Sequence, residues 1–169
     1  DDKEKLNVIA NGLPASPGAA SGKVVFTSEE AERLNDMMQD TILVRVETSP
    51  EDIQGMHAAK GILTARGGMT SHAAVVARGM GRPCVSGSSE IDINYEKKIF
   101  KTSNLEVKEG EVITIDGSSG RIILGNVPTV KPEISGDFSK LMSWADTMRK
   151  LKVRANSETP IDTKTARDF

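Results

Sequence analysis

Of the two histidines in this chain, His72 lies in "TARGGMTSHAAVVARGMGRPCVSG", Thr64 to Gly87, behind two glycines and two hydroxyl residues and ahead of a run of small side chains. Gly67 and Gly68 allow a loop to take positive φ and let another backbone approach closely. Thr70 and Ser71 supply hydroxyls, and either can cap a helix that begins near His72. In the first turn of such a helix, unpaired amides and the macrodipole present partial positive charge. That setting favours negative charge carried on the ring, a phosphoryl group for example. The effect is on the order of 0.3–1 kcal/mol at an exposed site, a bias rather than a catalyst. Ala73, Ala74, Val75, Val76 and Ala77 would let the helix pack closely and keep its start low-profile, so that a protruding imidazole could enter another domain's cleft.

Other chemistries fit less well. Ser71 and His72 are adjacent, awkward for a nucleophile and base pair, and no G-x-S-x-G elbow is present. Neither G-x-x-x-x-G-K-[ST] nor G-x-G-x-x-G occurs. One cysteine and two separated histidines give no zinc-ligand spacing, so no metal site is expected. Arg66 and Arg78 flank the loop within reach of a bound phosphoryl group, although a helical arginine is as readily a solvated one. Cys84 reads as a small buried hydrophobe and His57 as a packing or surface residue. Spacing alone leaves His72 open as an ordinary first-turn residue.

The elements that would position this loop alternate strand with helix. "NGLPASPGAASGKVVF" reads as a loop feeding a short strand at 23–26. Ser28 is expected to cap a helix, "SEEAERLNDMMQ", with Ala31, Leu34, Met37 and Met38 as its core face. "TILVRV" is a buried strand. Ser49 and Pro50 open a second helix, and "GILTA" is a further strand that runs into the glycine loop. From Pro83 onward "PCVS", "KKIF", "EVITID" and "RIIL" read as strands, with "DGSSG" turning between the last two. This is an α/β pattern with a β-rich second half.

The chain has 169 residues, a net charge of −2 with both signs well mixed, and six aromatics in all. Neither a basic stripe nor a stacking platform stands out, so nucleic acid is not an expected partner. No apolar run approaches bilayer length, and no membrane partner is expected. A single cysteine fits a reducing compartment, and the expected location is cytoplasmic. "NVPTVKPEISGD" reads as a linker. "FSKLMSWADTMRKL" follows as a helix with Phe138, Leu141, Met142, Ala145, Met148 and Leu151 on one face. "KVRANSETP" reads as a strand and a turn before a last helix opens. The expected division is an N-terminal linker at 1–10, a compact domain at 11–127, a linker and helix at 128–152, and the start of another domain at 153–169.

The stretch from Thr64 to Gly87 resembles the phosphohistidine signature of the phosphoenolpyruvate-utilising enzymes, and "NGLPASPGAASGKVVF", "ILVRVETSPEDIQGM" and "VRANSETP" are similar to that family as well. Met69 stands where the phosphoenolpyruvate synthase and the first enzyme of the sugar phosphotransferase system usually carry Arg. The likeness is therefore strongest to the branch in which ATP and phosphate charge the histidine and pyruvate receives the phosphoryl group. The other two remain the alternatives. The resemblance implies a swivelling β/β/α phosphohistidine domain with a C-terminal linker helix, His72 as phosphocarrier, and Thr70 and Ser71 as its polar neighbours. Thr70 also matches a threonine that plant members phosphorylate. Implied partners are an ATP-grasp nucleotide-binding domain and a barrel binding phosphoenolpyruvate and pyruvate in the same chain, in a homodimer. Mg²⁺ is implied outside this segment, and no cofactor is expected within it.

Overall fold

The computed structural model describes residues 6–128, 136–150 and 160–168. The chain divides into two compact units, 1–129 and 130–169. The first unit runs β1 (Val8–Asn11), β2 (Leu13–Ser16), β3 (Ala19–Val25), α1 (Ser28–Asp36), β4 (Thr41–Arg45), a 3₁₀ turn (Pro50–Asp52), α2 (Ile53–Ala58), β5 (Gly61–Thr64), α3 (His72–Met80), β6 (Cys84–Ser86), β7 (Asp92–Asn94), β8 (Ile99–Lys101), β9 (Glu106–Lys108), β10 (Val112–Asp116) and β11 (Arg121–Leu124). Eight strands form one sheet in the order β1-β11-β10-β3-β4-β5-β6-β2, and β7-β8-β9 form a second. The run β3 to β6 is parallel, and the flanking pairs are antiparallel.

The period-2 alternation of strands explains the layers. Val24, Ile42, Val44, Leu63 and Val85 pack with Phe100 and Val107 of the small sheet. Their neighbours Val25, Leu43, Ile62 and Cys84 pack with Ala31, Leu34, Met56, Ala73, Ala74 and Ala77 of the helices. Both faces are covered, so the parallel strands read as unbroken apolar runs. Small sheet, large sheet and helices make the β/β/α arrangement of an α/β fold.

Several expectations are corrected. The stretch read as a loop before residue 23 holds β2 and most of β3. Its small residues belong to a crowded sheet, since a Cβ on Gly22 would lie 2.8 Å from the backbone of Asp40 and Thr41. Pro14 is tolerated because β2 is an edge strand. β1 begins at Val8, inside the stretch expected as linker, and pairs with β11. Thr27 rather than Ser28 caps α1, accepting from the Glu30 amide at 3.2 Å. Ser28 is buried where α2 crosses, and Gly55 leaves no room for a Cβ against it. α1 ends at Asp36, and Met38 takes φ +56, so Met37 and Met38 are 55% and 94% exposed instead of core.

The Leu124 amide donates to the Asn7 carbonyl at 3.0 Å. The chain therefore enters and leaves this unit side by side. In the second unit, α4 (Gly136–Met148) and α5 (Pro160–Asp168) are helical. α4 buries none of its residues, and Phe138, Leu141, Trp144 and Met148 are exposed. Residues 129–135 of the expected linker at 126–137, and all but Pro160 of the strand and turn expected at 152–160, lie outside the described residues. Among the described residues no helix is long and apolar enough to cross a membrane.

Candidate functional site

The site lies at the C-terminal ends of the adjacent parallel strands β4 and β5, the edge where α/β sheets hold their ligands. Two loops leave that edge, 46–49 and 65–71. They are stitched together by backbone bonds from Ala65 N to Arg45 O at 3.0 Å and from Arg66 N to Val46 O at 2.9 Å.

The second loop is rigid for readable reasons. Gly67 has φ +110, and a Cβ there would meet Ser71 Cβ and Oγ at 2.9 Å. Gly68, its twin in the sequence, has no positive φ and nothing within 4 Å of a built Cβ. The positive-φ expectation therefore holds for one of the two. Ser86, fully buried on β6, donates its hydroxyl between the carbonyls of Gly67 at 3.1 Å and Gly68 at 3.3 Å. Gly87 has φ +64, and a Cβ there would stand 2.4 Å from the Gly67 carbonyl oxygen. Arg78 Nη2 donates to the Met69 carbonyl at 2.6 Å. That guanidinium serves the loop itself, while Arg66 is exposed.

Of the two hydroxyls before the helix, Ser71 is the N-cap of α3, accepting from the Ala74 amide at 3.4 Å, and Thr70 is exposed. His72 is the first residue of α3, as the sequence predicts. Ala73, Ala74 and Ala77 are buried against the sheet, which draws the helix down, whereas Val75 is 52% exposed.

The ring of His72 is half-buried rather than fully protruding. Its Nδ1 lies 3.0 Å from Oγ1 of Thr48, which is 9% exposed and sits on the first loop. No hydrogen-bond partner of Nε2 occurs among the described residues. A threonine hydroxyl can either accept from Nδ1–H or donate to an Nδ1 lone pair. When it accepts, Nε2 keeps its lone pair and is the nucleophilic nitrogen. The arrangement suits an imidazole that gains and loses an electrophile at Nε2. Thr48 follows from nothing in the sequence around His72, because the two are separated by 24 positions and Thr48 stands next to an ordinary helix start.

Cys84 lies beneath α3, fully buried, and burial pushes its thiol up to about 12, with a smaller opposing pull from Arg78. It is packing, as expected. His57 lies on α2 with an exposed side chain. Among the described residues no group of three or more His, Cys, Asp or Glu could hold a metal ion.

Residues 37–120 match the family described as "PEP-utilising enzyme, mobile domain". The pyruvate, phosphate dikinase of Rhizobium meliloti (strain 1021) is 56% identical over 169 residues, which is 100% of this chain and 19% of that protein. The chloroplastic pyruvate, phosphate dikinase 1 of Oryza sativa subsp. japonica is 58% identical over 163 residues, 96% of this chain and 17% of that one. The pyruvate, phosphate dikinase of Clostridium symbiosum is 58% identical over 159 residues, 94% of this chain and 18% of that one. The chain thus spans less than a fifth of the length of these curated relatives.

Proposed function

The chain belongs to the PEP-utilising enzymes through their mobile domain, and from that premise we propose that it is the phosphocarrier part of a pyruvate, phosphate dikinase. His72 accepts a phosphoryl group at one active site and delivers it at another. The observation that carries this reading is the Thr48 contact, which occupies Nδ1 and leaves Nε2 for phosphorus. The overall reaction is ATP, phosphate and pyruvate to AMP, diphosphate and phosphoenolpyruvate, in either direction.

With Nδ1–H donating to Thr48, the Nε2 lone pair forms the N–P bond as the bond to the donor's leaving oxygen breaks. The ring then carries positive charge that a nearby hydroxyl oxygen stabilises without neutralising. A carboxylate in that place would hold the imidazolium far more firmly and impede return of the phosphoryl group. In the second half-reaction the enolate oxygen of pyruvate takes the phosphorus, and the electron pair of the N–P bond returns to Nε2. Such transfers rest on positioning and on charge neutralisation, so the rigid 65–71 loop and the first-turn amides of α3 are the contribution of this segment. Arg66 and Thr70, both exposed on the same loop, are the proposed contacts of the phosphoryl group.

The ATP-grasp domain and the phosphoenolpyruvate-binding barrel are the proposed partners, in the same chain and as a homodimer. The adjacent entry and exit of the first unit favour a body that turns on a single attachment. Mg²⁺ belongs to those partner sites. A cytoplasmic location agrees with a free buried thiol.

The test supplies ATP, Mg²⁺, phosphate and the nucleotide-binding domain of the rhizobial relative to this chain. Acid-labile, base-stable label on His72, absent from His72→Asn and discharged by pyruvate once the barrel domain is added, is the expected result. Label that survives His72→Asn, or that passes to a small carrier protein and never to pyruvate, would refute the assignment.

A further inference from the structure

Thr48 sits on a loop with no regular structure of its own, yet its hydroxyl must meet a ring nitrogen to within a fraction of an ångström. We propose that Asp52, Arg45 and Tyr95 are positioning residues for phosphoryl transfer: they clamp the loop on both sides of Thr48 and so fix the His72 ring.

The clamp is made of contacts that converge on two amides. The Val46 amide, two residues before Thr48, donates to the Tyr95 hydroxyl at 2.7 Å. The Ser49 amide, one residue after it, donates to Asp52 Oδ2 at 2.9 Å. Asp52 is 5% exposed and is itself held by the Ser28 hydroxyl, which donates to Oδ1 at 2.9 Å. Arg45 joins the two halves. Its Nε lies 3.4 Å from Asp52 Oδ1, its Nη1 donates to the Phe26 carbonyl at 3.0 Å, and its guanidinium sits 5.2 Å from the centre of the Tyr95 ring. The Tyr95 ring in turn stands edge-on to Phe26, 6.4 Å between centroids and 85° between planes.

Two features separate positioning from mere packing. A partly buried ion pair such as Arg45–Asp52, with side chains 26% and 6% exposed, adds little net stability, whereas the hydrogen bond from Arg45 Nη1 to the Phe26 carbonyl fixes the direction of the guanidinium. Tyr95 also comes from the turn between β7 and β8, in the small sheet. Its phenol oxygen reaches out of that layer to a loop amide at the edge of the large one. The small sheet thereby gains a connection to the carrier histidine through Tyr95, Val46, Thr48 and His72. The ring it steadies is the nucleophile, so the residues act through Thr48 and touch no reactant. A site supported in this way is sensitive to small displacements of its supporting shell.

The proposal rests on His72 as carrier, and the experiment separates the two. Wild type, Tyr95→Phe, Asp52→Asn and Thr48→Val are compared by three readings. The first is the His72 tautomer ratio from ¹⁵N-edited spectra. The second is the division of phosphorus between Nδ1 and Nε2 in ³¹P spectra after treatment with phosphoramidate. The third is the labelling rate. Tyr95→Phe keeps the ring and removes only the acceptor for Val46. It should move the tautomer ratio in the same direction as Thr48→Val and slow labelling about two- to tenfold, the equivalent of one weakened hydrogen bond. Asp52→Asn should do the same; if it unfolds, Tyr95→Phe decides alone. An unchanged ratio and rate in Tyr95→Phe, while Thr48→Val alters both, overturns the proposal. So does a Thr48→Val protein with an unaltered ring. A wild-type His72 that takes no phosphorus sinks the carrier reading instead, and the tautomer ratio then still decides the positioning.

Discussion

Gly67 and Gly68 are indistinguishable in the sequence, and their substitution by alanine should have opposite consequences. At Gly67, φ of +110 is strained for any residue with a Cβ, at a cost on the order of 1–3 kcal/mol. The added methyl would also stand 2.9 Å from Ser71 Cβ and Oγ, so Ser71 must move. Ser71 caps α3 through the Ala74 amide, and loss of a cap costs about 1 kcal/mol. Together Gly67→Ala should cost about 2–4 kcal/mol, a fall of roughly 8–16 °C in melting temperature for a unit of this size. Gly68 has neither positive φ nor a neighbour within 4 Å. Gly68→Ala should therefore be neutral or up to about 1 kcal/mol stabilising, by restricting the unfolded chain. Thermal unfolding followed by circular dichroism reads both. Equal melting temperatures for the two variants, or a larger fall for Gly68→Ala, would refute the account of the loop. Labelling of His72 by phosphoramidate should survive Gly68→Ala unchanged, because a small donor needs no close approach of a partner backbone there.

Two further outcomes follow from the ionisable groups. Cys84 is fully buried with its thiol pushed up to about 12, so the folded protein should leave a disulfide reagent untouched near neutral pH and release one equivalent of thiolate-dependent colour on adding denaturant; rapid reaction of the native form would contradict its burial. Burial alone would raise the carboxyl of Asp116, but hydrogen bonds from Ser119, Arg121 and the amides of Ser118 and Ser119 outweigh it and hold the group below its ordinary value. A lowered folded value contributes stability above the unfolded value of about 3.9 and loses it as pH falls through the folded one. Asp116→Asn should thus cost about 1 kcal/mol at pH 7 and converge with wild type in acid, as read by urea unfolding at several pH values. A gap that persists in acid would mean the loss is steric.

The helix that bears His72, its start at a hydroxyl residue and the apolar strands β4, β5 and β10 are all local patterns, and each is legible in the chain. Hydroxyl before small residues signals a cap, and an unbroken β-branched run signals a strand covered on both faces. What misled was locally ambiguous chemistry. Thr27 and Ser28 are equally good caps, and only the passage of α2 over Ser28 decides between them. Small residues at 19–22 look like loop material, although here they are the price of a tightly pressed sheet. Met37 and Met38 fit the helical period, but the helix stops one residue short of them.

The supports of the site were hidden for a different reason. Thr48, Ser86 and Tyr95 lie on three elements: Thr48 meets the ring of His72, Ser86 binds loop 65–71 and Tyr95 binds loop 46–49, each across a gap in sequence that no period spans. Their roles are set by register. Arg45 pairs with Thr64 at the end of the parallel ladder between β4 and β5, which brings loop 46–49 beside loop 65–71. A shift of that pairing by one residue would turn every side chain of β5 to the opposite face and carry the 65–71 loop past Thr48. The pairing is secured within the ladder, by Ile42, Val44 and Leu63 facing one core and Leu43 and Ile62 the other. A substitution that loosened this apolar register, with the histidine and its threonine intact, should therefore weaken the Nδ1 contact before it unfolds the protein. The chemistry proposed for His72 is written locally around it, and the accuracy of its Thr48 contact is set by the two cores beneath it.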